Sequence, residues 1–173
     1  MNALNRNGAM GALVRLLEWV VIFLFAVLTV NVLWGVFSRY VIGHQSQWTE
    51  EVAIYLLLWV SLLGAALTYR DRGHLGVDYF VGQLPEGLQR LMTFVAEIAV
   101  LLFAVFALVY GGMMLVLRNL EANQVTPALG LKVGYLYSAA PICGVFIALF
   151  ALEHLLGLWR APPAAGAGEG GGR

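Results

Sequence analysis

Charge and cysteine are scarce in this 173-residue sequence, with 12% Asp, Glu, Lys and Arg and a single cysteine, Cys143. A soluble domain carries about 25% charged residues. One cysteine cannot form an internal disulfide, and in its apolar surroundings Cys143 reads as a small packing residue. No glycine-rich phosphate loop, Cys/His metal spacing or nucleophile with an identifiable base is present, so no catalytic, metal or cofactor site is expected. A haem-binding bundle needs paired histidines inside it. Here His44 and His74 fall in loops on opposite sides, and of the three only His154 lies in an apolar run. Ten basic and ten acidic residues give zero net charge, which offers nothing to nucleic acid.

What the chain has is hydrocarbon: 61% of its residues are hydrophobic. Four apolar segments stand out, Leu13–Phe37, Glu50–Tyr69, Leu88–Leu117 and Leu131–Trp159. Each is near or above the ~20 residues that cross ~30 Å of hydrocarbon as a helix. The expectation is an all-α membrane protein of four transmembrane helices over residues 1–160, with a flexible tail over 161–173. The first segment is too long for a secretory signal and lacks a small-residue cleavage site, so it reads as a retained helix. The Pro-, Ala- and Gly-rich tail has almost nothing to bury.

Lys and Arg in the flanks orient the spans. With the N-terminus inside, Arg6, Arg15, Arg70, Arg72, Arg90, Arg160 and Arg173 fall on the cytoplasmic side, and Arg39, Arg118 and Lys132 outside. Both termini are therefore expected in the cytoplasm. Trp34, Tyr40 and Trp48 then mark the outer interface, and Trp19, Tyr69 and Trp159 the inner one.

Lipid competes with protein for apolar side chains, so small and polar residues must hold the helices together. Candidates, for contacts within the bundle or against a partner, are Ser61, Gly64, Ala65 and Thr68 in helix 2, Ala104, Ala107 and Gly111 in helix 3, and Ala140, Gly144 and Ala148 in helix 4. Pro141 crowds the carbonyl of Tyr137 and predicts a kink. The intramembrane ionisable groups are Arg15, Glu18, Glu97, Glu153 and His154, with Glu97 deepest. A carboxylate there is a functional candidate. The alternative is a structural ion pair, with Arg15 for example, or a shared hydrogen bond. It is favoured because no polar chain continues to the outer side.

The stretch SQWTEEVAIYLLLWV puts adjacent carboxylates, Glu50 and Glu51, at the mouth of helix 2. With Thr49 as N-cap, both lie in the first turn, where the helix dipole favours negative charge. Adjacent helical residues point about 100° apart. One glutamate is therefore expected to pair with Arg39, while the other faces lipid headgroups or a partner.

VFSRYVIG closing helix 1, WTEEVAIYLLLWVSLLGAAL through helix 2, RGHLGVDYF after it and TPALGLKVGYLYSAAP (with Pro127 and Pro141) entering helix 4 resemble the small permease subunit of TRAP transporters, the DctQ-like family. The likeness runs from Leu13 to Trp159. It implies a four-span subunit of the bacterial inner membrane that scaffolds a large permease subunit, itself the carrier of the substrate and sodium sites. A periplasmic solute-binding protein would deliver an organic acid such as a C4-dicarboxylate or a sialic acid. Some relatives fuse both permease subunits; this chain ends in a loose tail, so a separate large partner is expected. The competing class is the membrane anchor of a redox enzyme complex.

Between helices 2 and 3, Arg70–Gln89 mixes Leu75, Val77, Tyr79, Phe80, Val81 and Leu84 with polar residues. It reads either as an interfacial amphipathic segment or as an ordinary basic loop. Arg70 and Arg72 would meet lipid phosphates and Asp78 would cap or pair locally. With His74, these residues offer the large subunit a docking surface.

Overall fold

The computed structural model describes residues 9–44, 47–71 and 85–160. Four helical spans are long and apolar enough to cross a membrane: Met10–Ile42, Gln47–Arg70, Leu91–Glu121 and Gly134–Gly157. The first is built from α1 (Ala9–Phe37) and a π-helical turn, Ser38–Ile42. Gly43 ends it in the left-handed conformation, φ 77°, which costs glycine nothing. The second is α2 (Gln47–Arg70), which starts two residues before the expected cap at Thr49. The third joins α3 (Glu86–Leu102), a π-helical segment Phe103–Gly111 and α4 (Gly112–Glu121). In the fourth, a short α5 (Gly134–Tyr137) is separated by Ser138 from α6 (Ala139–Arg160). The kink expected from Pro141 is thus a break in the helix, one turn before the proline.

The spans do not close into a square bundle. The main packing runs from α1 to α2, from α2 to α6, and from α6 to the third span. The array is a ribbon ordered 1–2–4–3, and among the described residues many large apolar side chains on it are exposed. The principal buried cluster lies along it: Val14 and Leu17 from α1, Leu63, Ala66 and Tyr69 from α2, Ala104 from the third span, and Cys143, Ile147, Phe150 and Ala151 from α6. Cys143 lies at the α2–α6 seam, where its thiol donates to the Leu62 carbonyl at 2.9 Å.

Helix 1 presents one narrow stripe to the ribbon. From Val14 onward its buried or half-buried positions are Val14, Leu17, Val21, Leu24, Leu28, Asn31, Gly35 and Ser38. They alternate steps of three and four residues, the seam of a left-handed helix pair. Its flanks, including Phe23, Phe25, Val30 and Leu33, are exposed. In the buried part of the seam, the Asn31 Nδ2 donates to the Thr49 carbonyl at 2.8 Å. Thr49 itself is buried against Gly35, where an added Cβ would lie 3.3 Å from its hydroxyl. Thr49 is therefore a packing residue inside α2, not its cap.

The small residues proposed as helix contacts divide in two. Gly144 is buried so tightly that a Cβ would lie 2.7 Å from the Leu108 Cβ and 3.0 Å from the Val109 backbone nitrogen. Ala104 is fully buried, while Ala107 is exposed. In α2, by contrast, Ser61, Ala65 and Thr68 are exposed, and a Cβ on Gly64 would meet nothing within 4 Å. The α2 set faces away from the ribbon.

Candidate functional site

At the end of the ribbon near Ala9 and Arg160, three spans converge on one carboxylate. Tyr69 on α2 donates its hydroxyl to the Glu97 Oε2 on α3. His154 on α6 places Nδ1 3.2 Å from the Glu97 Oε1, with the two side chains 12% and 14% exposed. The Tyr69 and His154 rings lie 5.6 Å apart. A carboxylate in an apolar setting must have partners, and these two are supplied by the flanking helices. Glu97 thus takes hydrogen bonds from Tyr69 and His154, the shared hydrogen bonding that was the second structural alternative. Tyr69 was read from the sequence only as an interface marker. The cue it carried was a hydroxyl in the last turn of α2, level with the start of the next helix.

At the opposite, hairpin end, the two adjacent carboxylates of α2 serve different faces. Glu51 accepts the backbone N–H of Ala128 at 2.8 Å and of Leu129 at 2.9 Å, one on each oxygen. The Thr126 hydroxyl lies within electrostatic reach of the same carboxylate. The receiving loop is itself folded: Val125 and Lys132 form an antiparallel bridge, and Thr126 N–H donates to the Leu131 carbonyl at 2.9 Å. Gly130 turns it with φ 65°. Pro127 and Ala128 stand exposed at its tip.

Glu50, 100° around the helix, is exposed and heads a different row. Ile54, Leu57, Ser61, Ala65 and Thr68 continue it along α2, all exposed. Of the two glutamates expected to serve Arg39, Glu51 is committed to the loop instead. Arg70 lies beside Asp71 and His154 beside Glu97, while Arg39 is exposed. Two backbone N–H groups held in a folded loop present a fixed receptor for both oxygens of Glu51. A long, mobile arginine at the interface offers less.

The other expected residues take separate places. Trp48 is 44% exposed at the hairpin end, with Trp34 and Tyr40 also exposed there. Arg70 Nη1 lies 3.6 Å from Asp71, a neighbour pair open to solvent and worth little. Pro141 is buried against Gly112, where a Cβ would stand 2.9 Å from its ring. Arg72, His74 and Asp78, with most of the Arg70–Gln89 segment and the tail over 161–173, lie outside the described residues. Among the described residues no group of His, Cys, Asp and Glu could hold a metal ion.

The chain matches, over residues 28–161, the family model of the DctQ component of tripartite ATP-independent periplasmic transporters. It is 28% identical over 142 residues to a TRAP transporter small permease protein of Haemophilus influenzae, covering 82% of this chain and 86% of the relative. It is 27% identical over 143 residues to the sialic acid TRAP transporter small permease protein SiaQ of Vibrio cholerae, covering 83% and 81%. A third relative, the isethionate TRAP transporter permease protein DctMQ of Oleidesulfovibrio alaskensis, is 28% identical over 118 residues, 68% of this chain but 18% of the relative. These are transporter proteins, and the redox-anchor reading is set aside. With four apolar spans and a match across most of its length, the chain belongs to the DctQ family of TRAP transporter small permease subunits.

Proposed function

We propose that this chain is the non-catalytic scaffold subunit of a sodium-coupled uptake system for organic acids, held in the bacterial inner membrane beside a large permease subunit. The observation that carries this reading is the outward row of α2. Glu50, Ile54, Leu57, Ser61, Ala65 and Thr68 are exposed, and Gly64 is open to close approach. Small residues in a span serve helix contact rather than lipid, because they let two backbones approach. The DctMQ relative supports the same partner, since a stretch similar to this chain forms 18% of a much larger permease protein. A periplasmic solute-binding protein completes the proposed system. SiaQ is named for sialic acid and DctMQ for isethionate, so the family alone does not select one acid.

Two experiments test this reading. Reconstituted alone, the chain should move no organic acid under a sodium gradient, and uptake should appear with the large subunit and the binding protein. Sodium-driven uptake by the isolated chain would overturn the scaffold role. Gly64→Leu should leave the unfolding midpoint of the isolated chain unchanged and weaken binding of the large subunit about tenfold, ~1.4 kcal/mol. Unchanged affinity would move the interface to another face.

Orientation is part of the proposal. Arg39, Arg118 and Lys132 flank the hairpin end, against Arg6, Arg15, Arg70, Arg72, Arg90, Arg160 and Arg173 on the side of the termini by sequence, and this seven-to-three bias supports cytoplasmic termini. A reporter active only in the periplasm should be silent when fused after Arg173 and active when inserted at Gln124. The reverse pattern inverts the assignment.

A further inference from the structure

Between Gly112 and Tyr137 the hairpin end of the third and fourth spans forms a unit of its own. The helices α4 and α5 pack closely, since a Cβ on Gly134 would lie 2.6 Å from the Leu120 side chain and 3.3 Å from the Val116 carbonyl. The loop joining them is closed by the Val125–Lys132 bridge and by Val133 N–H donating to the Gln124 carbonyl at 3.0 Å. Both connections to the rest of the ribbon are irregular. On one side lies the π-helical segment Phe103–Gly111, on the other the break at Ser138 followed by Pro141. They are side by side, with Gly112 against the Pro141 ring. Interrupted ladders are where a helix bends at least cost, so two adjacent ones define a hinge axis.

The unit is tied to α2 through the Glu51 carboxylate on the Ala128 and Leu129 amides. One turn along the same face, the Tyr55 hydroxyl is buried and makes no hydrogen bond among the described residues. It lies within electrostatic reach of Glu51 and Tyr137. A buried hydroxyl without a partner is costly and calls for a reason. Residues four apart on a helix are neighbours, so the phenol can reach the Glu51 carboxylate once the loop amides no longer hold it turned toward the loop.

We propose that Gly112–Tyr137 is a hinged flap, latched shut on α2 by Glu51, and that Tyr55 takes over the Glu51 carboxylate when the flap opens. The closed state satisfies two loop amides and leaves the phenol unpaired. In the open state the phenol is paired and the amides turn to interfacial water. Each state satisfies what the other leaves, which is the condition for a two-state element. The inference rests on the geometry of this chain and not on the transport reading.

Residue-resolved amide hydrogen exchange on the full chain in lipid nanodiscs tests it. Glu51→Ala should speed exchange at Ala128 and Leu129 by about tenfold or more, with a smaller rise for Glu51→Asp, whose side chain is one methylene short. Glu50→Ala should leave both amides at the wild-type rate. Tyr55→Phe is the discriminating variant: the open state loses its hydrogen bond, so exchange should slow by about threefold. A tyrosine that merely packs would give unchanged or faster exchange, and that result overturns the handover. Unchanged rates in both Glu51 variants, or an equal rise in Glu50→Ala, overturn the latch.

Discussion

Glu97→Leu is expected to destabilise the end of the ribbon where three spans meet, while Glu97→Gln is expected to be nearly silent. Leucine removes the acceptor shared by Tyr69 and His154 and leaves both without it in an apolar setting. Each unpaired polar group costs about 1–3 kcal/mol in water-soluble proteins, but interhelical hydrogen bonds in membranes average about 0.6 kcal/mol. The two together place the loss at about 1–3 kcal/mol. Glutamine keeps an acceptor for the Tyr69 hydroxyl, and its amide can donate to a neutral His154 Nδ1. Unfolding of the chain in nanodiscs measures the difference, and equal stability of the two variants contradicts the staple. Uptake by the assembled complex should stay near wild type in Glu97→Gln. Lost uptake with normal assembly would instead make Glu97 a residue of the coupling mechanism.

Gly144→Val should separate the third and fourth spans. The new Cβ would fall 2.7 Å from the Leu108 Cβ, 2.9 Å from the Val109 side chain and 3.0 Å from the Val109 backbone nitrogen. The last of these is the obstacle, because a backbone cannot rotate aside. Overpacking of this kind costs about 1–3 kcal/mol, and here it acts on the main contact between two spans. The expected result is a lower unfolding midpoint and faster amide exchange through Phe103–Gly111. Gly157→Val, at a position with open space around it, should change neither. Equal effects from the two substitutions would mean that helix propensity, not close approach, is being measured.

Legibility was uneven for a physical reason. Span number and approximate bounds depend on apolar length against bilayer thickness, which the sequence carries directly. The break near Pro141 was also readable, because proline lacks an amide wherever it stands. Which face of each helix is buried was not. In water, apolar periodicity marks the core, but a span is apolar on its lipid side too, so the contrast vanishes. The seam of α1 from Val14 to Ser38 is invisible for that reason. Asn31, a polar side chain in an apolar run, is a cue the sequence reading passed over. The small residues of α2 and of α6 look alike in sequence, yet Gly144 is buried and Gly64 is open.

The sequence by itself determined that the chain crosses a membrane four times, that charge is scarce within the spans, and that its motifs resemble those of a TRAP small permease subunit. Only the tertiary structure decided where the scarce polar groups go. Glu97 joins Tyr69 and His154, residues 28 positions before it and 57 after. Glu51 reaches amides 77 and 78 positions away. A carboxylate near hydrocarbon must find a donor, and the sequence states that need. Which donor it finds depends on which spans lie side by side, and the order 1–2–4–3 is a property of packing that no local pattern encodes.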